Sequence, residues 1–288
     1  MRGPLKMKYG LFGLFFVIIL LILVGCNSYA NTSILRSDNN RGPWTDTVDE
    51  SARAYAYKRI AGFSRKGATS LRFEVRDGDC YTAYPLNPTQ GWDDCTRDRE
   101  RSEVREKWTA PWDKTVWYGI SIFIPQDYNF FYPKQIIFQW HRGKQPIAFL
   151  KLERKNLKFD ILTELGRSTS IYDLGNVFKK EYVGKWMDII WEARWDADDT
   201  GYLNMWINGN QVIKHKGATS DKEVGKCKHR GCGTFVKYGI YRSHLSRYGA
   251  EIDMMPGDLT IPTQVLFFDE YRRGFSKQEV DVNYREGS

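Results

Sequence analysis

WMDIIWEARWDADDTGYLNMWINGNQVI (186–213) reads as strands joined by turns. Apolar and polar residues alternate through its first and last thirds. Asn208-Gly209 separates LNMWI from QVIKH, a dipeptide suited to a type I′ turn because both central residues of that turn need positive φ. Outward from this hairpin, short runs rich in Ile, Val, Phe, Tyr and Trp recur at 69–75, 116–124, 135–141, 147–152, 157–163, 234–242 and 263–271, with turn residues between them. Beyond the N-terminal leader no long stretch carries a 3.6-residue apolar period, although 48–60 and 174–182 read as short helices. The pattern predicts an all-β fold, an antiparallel sandwich of two sheets.

Three polar clusters interrupt these runs: RSEVR (101–105), QWH (139–141) and VKYGIYRS (236–243). Side chains alternate along a strand, so Arg101, Glu103 and Arg105 share one face, as do Gln139 and His141, and Lys237, Gly239 and Tyr241. If the three strands are neighbours, they line one groove with groups that grip a carboxylate and move a proton beside it. A charged, solvated strand face is the plain reading of any one cluster; the coincidence of three favours a site.

In this order the clusters resemble the motifs of the β-jelly-roll polysaccharide lyases. RSEVR, QWH and KYGIYRS are similar to the active-site stretches of the family 7 alginate lyases, while SLRFEVRDGD (70–79), VWYGISIFIP (116–125), IIFQWH (136–141) and 186–213 look more like the heparin lyase I and glucuronan lyase group. The resemblance implies a concanavalin-like jelly roll that cleaves a uronic-acid polysaccharide by β-elimination. It implies that Arg101, Gln139 and His141 neutralise the substrate carboxylate and that Tyr241 is the proton-transfer group, its phenolate favoured by Arg101, Arg105 or Lys237. Arg105, Lys237, Trp140 and Arg242 are placed against the sugar chain, with Trp206 and Tyr238 as further stacking faces. Glu103 holds Arg101 and Arg105 in register. No cofactor is required, though the same group implies a structural calcium, with Asp269 as candidate ligand.

The N-terminus reads as a lipoprotein signal peptide over 1–25: Arg2, Lys6 and Lys8 precede an apolar segment (11–24), and Leu23-Val24-Gly25-Cys26 is a lipobox. Cys26 becomes the lipidated first residue, Asn27 directs the chain to the outer membrane of a bacterium, and an Asn-rich tether (26–45) leads to a single domain over 46–288. The signal takes three of the 43 basic residues and leaves a modest positive excess over 35 acidic ones, suited in an exported chain to an anionic polysaccharide and not to nucleic acid. A monomer is expected. Four further cysteines in an oxidising compartment predict disulfides, with Cys80–Cys95 and Cys227–Cys232 the local pairing. A metal site from Cys227, His229 and Cys232 is the rival for the second pair.

Two other classes stay open. EIDMMP (251–256) partly resembles the catalytic strand of family 16 glycoside hydrolases, but Pro256 stands where the second carboxylate belongs. A non-catalytic carbohydrate-binding lipoprotein needs the same basic groove. His215 and His244 read as surface residues, His244 at the groove's rim.

Overall fold

The computed structural model describes residues 44–46, 53–80, 93–106, 109–111, 114–131, 133–143, 145–164, 167–222, 233–251 and 260–284. The chain divides into two compact units, Met1–Ser33 and Ile34–Ser288, and all described residues lie in the second. The signal peptide with Cys26, the Cys227 and Cys232 pair and most of EIDMMP fall outside the described residues.

Fourteen strands are described: β1 Trp44–Asp46, β2 Tyr57–Ala61, β3 Thr69–Val75, β4 Arg99–Glu106, β5 Thr115–Phe123, β6 Gln135–Arg142, β7 Gln145–Glu153, β8 Asn156–Ile161, β9 Ser170–Asn176, β10 Trp186–Arg194, β11 Tyr202–Ile207, β12 Asn210–Lys216, β13 Thr234–Ser243 and β14 Gln264–Gly274. Two short helices, α1 (Tyr248–Glu251) and α2 (Lys277–Val280), follow β13 and β14. The strands form two seven-stranded antiparallel sheets, β1-β4-β13-β6-β7-β8-β9 and β12-β11-β10-β5-β14-β3-β2. Thus the expected jelly-roll sandwich is present, and β1 takes in Trp44 and Thr45 from the C-terminal end of the expected tether.

Alternation drives this arrangement. Val104, Phe138, Trp140, Leu150, Phe159 and Tyr238 of the first sheet meet Phe73, Tyr118, Ile122, Trp191, Met205 and Phe268 of the second in one apolar core. Aromatic pairs seal the layer: Phe138 and Trp140 each lie 5.0 Å from Trp191, and Phe73 meets Tyr238 edge-on at 5.7 Å. Asn208 and Gly209 join β11 to β12 with φ of 49° and 82°, as the hairpin signal required.

Where the two predicted helices are described, at 53–60 and 174–182, they are strands and turns, and residues 48–52 lie outside the described residues. Tyr57–Ala61 pairs with β3, and the LGNVFKKEY run ends β9 at Asn176 before turning. Leu174, Val177 and Phe178 mimic a helical period, but Leu174 and Val177 enter the core from a strand end and a turn, while Phe178 is exposed.

Candidate active site

Within the first sheet β13 lies between β4 and β6, so the three polar clusters are neighbours. Tyr241 pairs with Arg101, Gly239 with Glu103 and Lys237 with Arg105 on one side; Lys237 pairs with Gln139 and Phe235 with His141 on the other. The register against β6 shifts between Tyr238 and Tyr241, a bulge centred on Gly239 at φ 138°. A Cβ at Gly239 would lie 2.2 Å from the Ser102 carbonyl oxygen, so only glycine lets β13 approach β4 this closely. On β6, Ile137 and Phe138 both turn inward, which lets Ile136 and Gln139 both face outward.

These outward residues form the floor of a recess. Glu103 is 0 % exposed, Gln139 3 %, Arg101 and Tyr241 6 % and His141 8 %, while Arg105 at the edge is exposed. A polar chain crosses all three strands. Arg101 Nη1 donates to Glu103 at 3.3 Å, Gln139 Nε2 donates to the other Glu103 oxygen at 2.6 Å, and His141 Nε2 donates to Gln139 Oε1 at 2.9 Å. His141 also stacks on Phe235 (5.4 Å), whose ring carries the Arg105 guanidinium at 4.2 Å. Glu103 therefore ties Arg101 to Gln139; no bond to Arg105 accompanies the expected one to Arg101.

The bidentate edge of Arg101 is directed elsewhere than the sequence suggests. Nε and Nη2 donate to the two oxygens of Asp94, at 2.5 and 2.7 Å, and burial of the guanidinium is outweighed by Asp94 and Glu103, which hold it charged. Arg101 lies 4.3 Å from the Tyr241 ring centroid, over its face. Arg99, two positions earlier on β4, donates to the Tyr241 hydroxyl at 2.8 Å. The expectation of a lowered phenol is reversed: burial raises Tyr241 above its ordinary pKa and outweighs Arg101 and Arg99. Lys237 has a lowered pKa, through burial and the nearby Arg101 and Arg105 charges, and makes no hydrogen bond or ion pair with a described residue.

Four expected contacts fall away from the recess. Trp140 is 0 % exposed and packs in the core, because it lies between two outward residues of β6. Arg242 follows outward Tyr241 and so turns inward, where it donates to Glu100 at 2.5 Å and to the Pro262 carbonyl at 2.7 Å. Tyr238 is likewise core, and Trp206 stands on the second sheet, stacked on Trp117 at 5.7 Å. Asp269 does not fit a calcium: its carboxylate accepts the backbone N–H groups of Arg65, Lys66 and Glu270. His215 is half-buried, bonded to the Tyr172 hydroxyl and lying 3.1 Å from the Ala218 carbonyl oxygen, and His244 is half-buried directly after β13.

Comparison with known proteins decides the family. The model of the polysaccharide lyase family matches residues 30–272. The chain belongs to the polysaccharide lyase family. It is an enzyme that acts on polysaccharides, and this lyase carries the jelly roll of its structural neighbours. An endo-β-1,4-glucuronan lyase from the fungus Trichoderma reesei superposes with a TM-score of 0.57 at 17 % identity, over 89 % of this chain and 96 % of that one. An alginate lyase from Pseudomonas aeruginosa gives 0.47 at 16 % identity, over 81 % and 98 %. A family 7 alginate lyase gives 0.49 at 14 % identity, over 81 % and 94 %. No curated protein matches the sequence.

Cys80 and Cys95 form the expected disulfide. Sequence reasoning missed Arg99, Asp94 and Phe235. Arg99 continues the outward alternation of RSEVR and was legible; Asp94 precedes β4 in a turn, where periodicity carries no signal.

Proposed function

We propose that the lyase cleaves a polyuronate by β-elimination, with Tyr241 as the proton-transfer group. The observation that carries this reading is the setting of Tyr241: its hydroxyl accepts from Arg99, its ring lies under Arg101, Lys237 shares its strand, and Gln139 and His141 stand on the adjacent β6. In the reaction the Tyr241 phenolate takes the proton at C5, the C5–H pair forms the C4–C5 double bond, and the C4–O bond breaks with the glycosidic oxygen taking a proton from the Tyr241 phenol. The carboxylate at C5 must first be neutralised, because negative charge builds beside it. Lys237 is suited to this, being a half-buried side chain near Glu103 that makes no direct ion pair with a described residue, and Arg101 and Gln139 keep N–H groups beyond those given to Asp94 and Glu103.

In D-glucuronate and D-mannuronate C5–H and C4–O lie on one side of the ring, so one phenol serves both proton transfers. His141 is held by Gln139 and Phe235, which favours a positioning and neutralising part over that of a second base. The similarity to a glucuronan lyase fold supports glucuronan as the first polymer to try.

The test is incubation with glucuronan, polymannuronate, polyguluronate and a heparin-like chain, followed by ultraviolet absorbance of the unsaturated product. Tyr241→Phe is expected to lower turnover 10²–10⁴-fold while the polymer still binds. Products without a C4–C5 double bond would point to a hydrolase, and binding without any product to a carbohydrate-binding protein.

A further inference from the structure

Tyr241 has a cation on each side. On the β4 side Arg99, paired with Ser243, donates to its hydroxyl. On the β6 side Lys134, whose carbonyl accepts the Ser243 N–H at 3.0 Å, lays its ammonium 4.6 Å from the centroid of the Phe149 ring. Phe149 itself packs with Tyr241, Ile136 and Leu162 in a small apolar cluster on the outward face. Arg99 on the β4 side and Lys134 on the β7 side thus flank the strand that carries Tyr241, near its C-terminal end.

Lys134 makes no hydrogen bond or ion pair with a described residue. Two carboxylates act on it from a distance, Asp160 and Glu153; Asp160 Oδ2 carries the Lys151 ammonium at 2.9 Å and the Ser168 hydroxyl at 2.7 Å, and Glu153 carries Lys151 and Lys158. Burial, and then the Lys151 charge, lower the Lys134 pKa. His244, at the rim, is lowered by burial and by Arg247, Arg99 and Lys134, so this end gathers positive charge around a neutral imidazole. A half-buried cation against an aromatic face, attracted by carboxylates but paired with none of them directly, is stabilised when a further carboxylate arrives.

We propose that Arg99 and Lys134 form a second carboxylate subsite, which holds the uronate adjoining the one whose bond is broken. The proposal rests on the polyuronate reading and narrows it. Two carboxylate grips flanking Tyr241 demand acid groups on neighbouring sugars, so the substrate is a homopolyuronate and not a chain in which uronate alternates with hexosamine.

The experiment uses the Tyr241→Phe protein, so that binding is read without turnover. Calorimetry compares a glucuronate tetrasaccharide with a tetrasaccharide alternating glucuronate and N-acetylhexosamine. The Tyr241→Phe protein is expected to prefer the first by about tenfold, one charge-assisted contact; adding Lys134→Met erases the preference, and Lys134→Arg keeps it. Melting temperatures of the variants verify folding. A preference absent before the change, or intact after Lys134→Met, overturns the subsite. Failure of the wild-type protein to release unsaturated product from any polyuronate overturns the lyase reading instead and leaves the binding comparison standing; failure to bind either tetrasaccharide overturns both.

Discussion

Asp94 accepts from Nε and Nη2 of Arg101, at 2.5 and 2.7 Å, so the guanidinium that faces Tyr241 is anchored along one edge by a carboxylate that is itself 0 % exposed. Removing one partner of a buried pair strands the other charge. Asp94→Ala is therefore expected to destabilise the fold by about 3–5 kcal/mol and to lower turnover as Arg101 leaves the Tyr241 ring. Urea unfolding with a parallel rate assay measures both; an unchanged midpoint would refute the pair's importance.

Arg99→Met should move the pH dependence of turnover. Tyr241 is raised by burial, and the Arg101 and Arg99 cations oppose that rise, with Asp94 adding to it; Ile136, Phe149 and Leu162 pack with it from β6 onward, and Lys134 stands over Phe149. The proposed reaction needs the phenolate. Loss of Arg99 raises the phenol further, so the rising limb shifts to higher pH, and Arg99→Lys restores part of the shift. A limb that stays in place under Arg99→Met argues against the contact.

The Cys80–Cys95 disulfide closes a loop of sequence separation 15. Its loss by Cys80→Ser is expected to cost roughly 3 kcal/mol in the chain-entropy model. Because Cys95 adjoins Asp94, activity should fall in the same variant at temperatures where it remains folded. Intact activity in the folded variant would separate the brace from the site.

Gly239→Ala combines a left-handed φ with a Cβ 2.2 Å from the Ser102 carbonyl oxygen. A stability loss of at least about 1–3 kcal/mol is expected, with turnover reduced because the bulge aims Tyr241. Thermal unfolding is the check.

Much of this was legible in the sequence. Ten strands stand close to where the apolar runs and Asn208-Gly209 placed them, because burial of one strand face enforces alternation. Sharing of a face by Arg101 and Glu103, and by Gln139 and His141, followed from the same rule. Strict parity also excludes Trp140 and Arg242 from that face, a step the sequence reading omitted. Strand order, the bulge at Gly239 and the arrival of Asp94 from a turn depend on contacts between distant segments, which periodicity does not encode. The described parts of the helices expected at 48–60 and 174–182 are not helical for a related reason: β2 and β9 are edge strands with half-solvated faces, so their alternation is weak.

The eight residues of β4 carry two interleaved messages. Glu100, Ser102, Val104 and Glu106 look inward, where Glu100 meets Arg242, Ser102 bonds the Ala56 carbonyl, Val104 fills the core and Glu106 meets Arg273. Arg99, Arg101, Glu103 and Arg105 look toward the recess. Single-residue changes at the outward positions can thus retune what is bound without rewriting the inward set, so a lineage of such enzymes is free to drift between polymers while keeping one architecture.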